Sequence, residues 1–372
     1  MSLIFIGIGI YLIVIAVKRI YAKNWSKGIS VDLDFSASEV YPGDKVIIME
    51  TVANANWLPL PMINVKFGID KRLVFEAGTE NTAVSDKSYK SDVFSLLFFQ
   101  KVTRKLPFTC TQRGYYYIDD LDIVSTDLFM KNVVSLTSPV KQSITVYPKP
   151  LSSELIDIPY NRIMGTLLTK RYTYEDPFEF RSIREYQTYD TMRSINWNAS
   201  ARTGDLKVNV YENTSCQEVC ILLNLENEGI WEYEDLKEAS ISLACSLAYR
   251  LTEQGIGVSI LSNGVDAVTT QEIHIACGCD EGHRKTIATQ LSRIDLKKNM
   301  QEFSMLLDKE RRQISAGAML VMVSMCKKNS LQEAYTKLAA ECSDSLWILP
   351  LLSGMNGDME LYDKNKVIRW EV

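Results

Sequence analysis

Residues 3–17 form an unbroken apolar run, LIFIGIGIYLIVIAV, closed by Lys18, Arg19 and Lys23. Such a run belongs either in a protein core or in a bilayer, because water costs it roughly 25 cal/mol for each Å² left exposed. It is short for a span, which takes ~20 residues. Ile20 and Tyr21 lengthen it if Lys18 and Arg19 snorkel to the interface. A cleavable signal peptide carries positive charge ahead of its apolar core, and here all the charge follows. The positive-inside bias then places Lys18 and the residues after it in the cytoplasm. Residues 1–23 are expected to be a single-pass anchor in the cell membrane, with the body of the chain facing the cytoplasm. The competing reading is a buried amino-terminal strand or helix.

The rest of the chain is globular in composition. Of 372 residues, 46% are hydrophobic and 23% charged, which excludes disordered and collagen-like chains. A formal net charge of −5 argues against a nucleic-acid binder, which needs a cationic face to displace counterions. The two histidines, His274 and His283, confine any histidine-based chemistry to one stretch. The eight cysteines are scattered, several within apolar runs such as that at 219–223, and fit reduced core thiols in a cytosol-facing compartment.

The pattern from residue 24 to 150 is β. Alternation appears at 46–52, 63–69 and 144–147, separated by turn signals at Pro42-Gly43-Asp44, Pro59-Leu60-Pro61 and Arg113-Gly114. This predicts a small immunoglobulin-like β-sandwich. Residues 151–216, entered through Pro148, Pro150 and Pro159, read as a less regular connector. From 217 to 372 strands and helices alternate. Apolar runs at 219–225, 256–261, 318–324 and 346–351 predict buried strands. Helical spacing predicts helices over 230–254, 282–294 and 331–342. The expected architecture is α+β and multidomain, ending in a parallel sheet wrapped by helices.

The stretch from Phe180 to Tyr211 carries the most specific pattern. Glu179-Phe180, Ile183-Arg184-Glu185-Tyr186, Asp190, Arg193, Ile195, Trp197, Ala201-Arg202-Thr203-Gly204 and Leu206 recur at characteristic spacings. It resembles the signature of a large prokaryotic family known as domain of unknown function fifty-eight. Tyr189 departs from the family's Gly, and Asn196 from its Asp. The run from Asn54 to Pro61, Arg113-Gly114-Tyr115-Tyr116, Asp127 to Phe129 and Val146 to Pro148 are similar to further stretches of that family. The resemblance implies one or two amino-terminal helices, a β-domain and a von Willebrand factor A-like α/β domain of Rossmann type. It also implies work beside MoxR-type AAA+ ATPases and other membrane proteins.

The charges from 162 to 207 are mixed. Arg162, Lys170, Arg171, Arg181, Arg184, Arg193, Arg202 and Lys207 stand with Glu175, Asp176, Glu179, Glu185, Asp190 and Asp205. They read either as Arg-carboxylate braces around a core Trp197 or as an exposed docking face with Arg and Trp hot spots. The interaction residues on the second reading are Arg184, Glu185, Tyr186, Asp190, Arg193, Trp197 and Arg202.

A von Willebrand A domain holds Mg²⁺ through Asp-x-Ser-x-Ser and a later Asp. The matching positions here are Asn224, Glu226, Glu228 and Met325. Mg²⁺ tolerates little geometric error, so the site is expected to be degenerate. The expectation is no cofactor, with a divalent cation held by Glu226 and Glu228 in a divergent ligand-binding domain as the alternative. His274, Cys277, Cys279 and His283 have zinc-ligand chemistry, yet one continuous run seldom wraps a tetrahedron. They read as a strand end, a loop and a helix start. The functional expectation is a non-enzymatic membrane-anchored interaction protein that does not bind nucleic acid.

Overall fold

The apolar run folds as helix α1 (Ser2–Asn24), which among the described helices is the one long and apolar enough to cross a membrane. In this computed structural model the described residues are 2–75, 82–84, 87–126, 133–171, 180–211, 218–229, 231–315, 317–355, 359 and 362–372. They divide into two units, Met1–Lys149 and Pro150–Val372. Asp127 to Phe129, Glu175, Asp176, Glu179 and Cys216 lie outside the described residues.

Most of α1 projects free, with Ile4, Phe5, Ile10 and Leu12 exposed. Its last turn does not. Tyr21 and the following Trp25 are buried among the β-strands of the same unit, which stabilises the joint by roughly 2 kcal/mol or more for each ring. Asn56 donates from Nδ2 to the Asn24 carbonyl at 2.9 Å and the Lys27 carbonyl at 3.0 Å. It thereby satisfies a carbonyl that the helix end leaves over. The exit turn needs glycine: Gly28 has φ +79°, and a Cβ there would press on the Ala55 backbone at 3.3 Å.

The strands of this unit are β1 (Ile29–Phe35), β2 (Glu39–Val40), β3 (Lys45–Asn54), β4 (Leu60–Asp70), β5 (Leu73–Phe75), β6 (Thr82–Val84), β7 (Lys87–Leu96), β8 (Lys101–Cys110), β9 (Gly114–Thr126) and β10 (Val133–Val146). Among the described residues they form sheets of order β1-β3-β8-β5 and β2-β10-β9-β4-β7-β6. All pairs are antiparallel except β2 with β10. Strict alternation along β3 and β7 turns one side of each to a single core, in which Ile48, Val65 and Phe108 are fully buried.

That core also holds charge. Glu50 is fully buried on β3 and stands opposite Arg104 of β8. Asp92 accepts from Arg104 Nη1 at 2.6 Å and lies 3.8 Å from the buried Lys90 Nζ. Burial, reinforced by the neighbouring Asp92 carboxylate, pushes the Glu50 carboxyl from 4.5 up to about 8, against the pull of Arg104 and Lys90. The folded state therefore prefers Glu50 protonated. This contribution to stability is complete below pH 4.5 and is lost as pH rises through about 8. Glu50→Gln should flatten the fall in melting temperature between about pH 5 and about pH 9. An unchanged slope in thermal melts of the full chain would place the titrating group elsewhere.

The second unit opens with α2 (Ser153–Arg171), where the sequence reads as an irregular connector. Ile156, Tyr160, Ile163 and Leu167 form one helical stripe buried in the core of this unit. Pro159 is accommodated inside the helix, and it obscures the stripe in the sequence. Next come β11 (Phe180–Glu185), the short α3 (Trp197–Thr203) and β12 (Lys207–Tyr211). Then follow β13 (Glu218–Asn224), α4 (Glu234–Glu253), β14 (Gly257–Asp266), β15 (Glu272–Gly278), α5 (Glu281–Ser292), β16 (Ile294–Asp295), α6 (Phe303–Glu310), β17 (Met319–Ser324), α7 (Asn329–Ala339), β18 (Asp344–Leu351) and β19 (Val367–Glu371).

The large sheet runs β15-β14-β13-β17-β18-β19, with β16 beside the end of β14. Counted from β13 this is the doubly wound order 3-2-1-4-5-6. The sheet is parallel except at β15 and β16, which pair antiparallel with β14. β13, β17 and β18 are buried almost throughout, as strands covered on both faces must be.

Candidate functional site

The Phe180–Tyr211 stretch folds as a small module in which β11 and β12 pair antiparallel and α3 lies between them in sequence. Asn196 caps α3: its Oδ1 accepts from the Ala199 amide at 2.9 Å, and its Nδ2 donates to Asn209 Oδ1 at 2.7 Å. Asn is among the side chains best suited to this helix-capping position. Ser200 accepts from the Lys207 amide at 2.8 Å and donates to the Asn196 carbonyl at 2.8 Å. Gly204 ends the helix at φ +83°, a left-handed conformation that disfavours residues with a Cβ.

Part of the signature is a brace. Arg184 grips Asp190 with both guanidinium nitrogens, at 2.6 and 2.5 Å, and lies over the Tyr189 ring at 5.7 Å. The hydrogen bonds from Arg184, helped by the Gln187 amide, hold the Asp190 carboxyl below its usual range. Glu185 pairs with Lys207 at 3.3 Å, and the Tyr186 amide donates to the Leu206 carbonyl at 2.9 Å.

The rest is presented to solvent. Trp197 is 63% exposed, so the reading that places it in a core pocket is corrected: the buried ring-side anchors of the module are Ile195 and Val208. Tyr189 and Met192 are more than three-quarters exposed, and Phe180, Ile183 and Leu206 are exposed as well. The side chains of Arg193 and Arg202 are exposed, with no hydrogen bond or ion pair to another described residue. Tyr189 and Met192 are absent from the set chosen from sequence, because an apolar residue in a charged stretch reads as filler until its exposure is known.

A second place with site-like geometry is the switch point, where chain connections from β13 and β17 leave in opposite directions. In open α/β sheets ligands bind outside the carboxyl ends of the strands at such a point. Asn224 ends β13, buried. Its Nδ2 donates to Ser324 Oγ at 3.0 Å, while its Oδ1 accepts from Asn263 Nδ2 at 3.1 Å and the Glu226 amide at 3.0 Å. Asn263 Oδ1 accepts from the Leu225 amide at 3.0 Å. The three strand ends are knotted by neutral groups already engaged with one another.

The two glutamates diverge. Glu226 Oε1 accepts from the Phe303 amide at 3.2 Å, at the start of α6. Glu228 pairs with Lys327 at 3.5 Å. Met325 is buried and supplies no hard ligand. Among the described residues no three His, Cys, Asp or Glu side chains converge as metal ligands. This donor set does not fit Mg²⁺, which needs oxygen ligands in near-octahedral array. A cleft of about 460 Å³ beside it is lined by Glu226, Asn227, Glu232, Lys237, Lys298 and Lys328. Lys237 is buried, which draws its ammonium below the ordinary value, with Glu232 and Glu234 offsetting part of that effect.

His274 and His283 do not act together. His283 Nε2 lies 2.7 Å from the Val258 carbonyl with its ring against Gly278, whereas His274 stands opposite Leu261. Cys277 and Cys279 are exposed, and neither is in a disulfide among the described residues.

Residues 182–342 match the profile of the family described as "Protein of unknown function DUF58". The match covers less than half of the chain and supports the family read from the signature. No curated protein matches this sequence. Solved structures similar to parts of it include AvmM, which catalyses macrocyclization in alchivemycin A biosynthesis (11% identity, 34% of this chain, 93% of that one, TM-score 0.25). A non-cellulosomal cohesin from Archaeoglobus fulgidus is similar at 12% identity, over 34% of this chain and 94% of that one, with a TM-score of 0.23. A CARDB domain from Pyrococcus furiosus follows at 15%, 32%, 94% and 0.21. At these TM-scores the likenesses carry no argument.

The neutral knot generates a test. Asn224→Asp places an anion among buried neutral groups and should destabilise the fold by about 2 kcal/mol or more at neutral pH. The loss should shrink as pH falls and the new carboxyl protonates. Millimolar Mg²⁺ should restore nothing in thermal melts. Recovery by Mg²⁺ would mean that Glu226 and Glu228 swing in to complete a cation site.

Proposed function

We propose that the chain is a non-enzymatic, membrane-anchored interaction protein whose docking face is the exposed part of the Phe180–Tyr211 module. The observation that carries this is the joint exposure of Trp197, Tyr189 and Met192 in one module with Arg193 and Arg202, whose side chains pair with no other described residue. Exposed aromatic and arginine side chains on a braced scaffold are what protein interfaces use as hot spots. Arg184, Glu185, Tyr186 and Asp190 hold the scaffold; Trp197, Arg193 and Arg202 meet the partner.

The amino-terminal unit is read as immunoglobulin-like, and the strand order 3-2-1-4-5-6 supports a von Willebrand A-like second unit. Its switch point is better suited to holding the fold than to holding a divalent cation, since Asn224, Asn263 and Ser324 are bonded to one another and Glu226 and Glu228 diverge. The family resemblance makes a MoxR-type AAA+ ATPase the proposed partner. The apolar exposed part of α1, with Lys18, Arg19 and Lys23 after it, supports a single-pass anchor with the body in the cytoplasm.

The test is a native pull-down from detergent-solubilised membranes, with the tag at the carboxyl terminus. Wild type should bring down a MoxR-type ATPase, and the folded double variant Trp197→Ala, Arg202→Ala should lose at least about tenfold of it, as loss of one hot spot of roughly 2 kcal/mol implies. An ATPase retained by the variant moves the docking face elsewhere, and no ATPase with wild type removes the proposed partner.

A further inference from the structure

Two loops at the base of α1 carry an apolar cluster that is left open to solvent. Trp57 is 61% exposed, and the consecutive Leu97, Phe98 and Phe99 are 60%, 60% and 72% exposed. Both loops are built to hold these side chains outward. The buried Asn54 donates from Nδ2 to the Leu58 carbonyl at 2.8 Å and the Leu97 carbonyl at 2.9 Å, so one amide ties the two loops together. Gln100 Oε1 accepts from the Leu97 amide at 2.8 Å, and the Phe99 amide donates to the Asn56 carbonyl at 3.2 Å. Phe99 sits at φ +53°, a conformation that costs a non-glycine residue on the order of 1 kcal/mol. Strained, cross-tied loops that display large apolar side chains mark an interaction surface rather than chance exposure.

The position of the cluster points to its occupant. Asn56, whose carbonyl receives the Phe99 amide, donates its side chain to the last turn of α1 at Asn24 and to Lys27. The Ala55 amide donates to the Gly28 carbonyl at 2.7 Å. The Trp57 loop is thus bonded to the foot of the helix, and the 97–99 loop is tied to it through Asn54 and Asn56. A helix rises 1.5 Å per residue, so Asn24 lies about 6 Å beyond Ile20, where the apolar run ends. The headgroup layer flanking the hydrocarbon is roughly 5–8 Å deep on each side. The loops therefore stand at headgroup level when α1 spans a bilayer.

Charge agrees. The segments 1–31, 54–61 and 95–103 contain Lys18, Arg19, Lys23, Lys27 and Lys101 and not one Asp or Glu. Cations beside interfacial aromatic rings suit an anionic lipid surface.

We propose that the Trp57 loop and the 97–99 loop insert into the headgroup layer of an anionic bilayer, giving the unit Met1–Lys149 a second membrane contact beside α1. The inference rests on the reading of α1 as a membrane anchor. The unit is held against the lipid surface at a set tilt instead of swinging from a tether.

The test uses the full chain in vesicles of phosphatidylcholine and phosphatidylglycerol, with and without lipids brominated near the glycerol backbone. The fluorescence difference between wild type and Trp57→Phe isolates the emission of residue 57. That emission should be lost with brominated lipid and insensitive to acrylamide in the water. Phe99→Trp in the Trp57→Phe background should report the second loop in the same way. Emission that acrylamide removes and brominated lipid spares overturns the proposal. So does emission protected from both quenchers, which signals a protein contact such as a second copy. Vesicle flotation separates the two levels: a chain that fails to float refutes the anchor itself, whereas a floating chain with Trp57 in water refutes only the lipid contact of the loops.

Discussion

In the second unit the central strands are covered on both faces, and the polar side chains of Asn224, Asn263 and Ser324 near their carboxyl ends are buried. Asn224 joins Ser324 and Asn263 and collects the amide of Glu226. A charged residue in that place would need a counter-charge or a cation, and the nearest carboxylates are turned to Phe303 and Lys327. The same choice decides what the site can do. A switch point at which Asn224, Asn263 and Ser324 are bonded to one another and to nearby backbone stabilises the sheet and leaves these three little for a metal. Trp347 continues the pattern by donating from Nε1 to the Ser324 carbonyl at 3.1 Å.

The signature module divides its labour between rigidity and exposure. The bidentate Arg184–Asp190 pair, the Asn196 cap and the Ser200 hydroxyl leave the backbone few alternatives. Trp197 and Met192 can then be held in water without collapsing onto the module. A fixed scaffold lowers the ordering cost of association, and that is the physical advantage the proposed docking face would draw from the brace. The Arg184 side of the ion pair is exposed, so its contribution is to geometry more than to stability.

The joint between α1 and the strands has the same logic. Tyr21 and Trp25 are core residues of the β-unit although they belong to the helix and its exit. The apolar run is thus a free rod over most of its length and a packed element at its end. The exposed rod is long and apolar enough to cross a membrane, and the buried residues Tyr21 and Trp25 lie at and after its last turn.

Several features were legible in the chain itself because they depend on local chemistry. Alternation in β3 and continuous apolar runs in β13, β17 and β18 mark half-buried and fully buried strands, and the periodic leucines of α4 mark its buried face. The signature spacing picked out Arg184, Asp190 and Gly204, whose partners lie only a few residues away. What the residues alone left open required distant parts of the chain to meet. α2 became a helix through packing on a core that lies far along the sequence, despite Pro159. Asn224 acquired its meaning from Asn263 and Ser324, and Trp57 from residues 97–99 and from the end of α1. Burial separates the two classes. A residue's propensity and periodicity are carried by its neighbours in sequence, but whether Trp197 faces water and Glu50 does not is decided only when separate segments close over one and leave the other open.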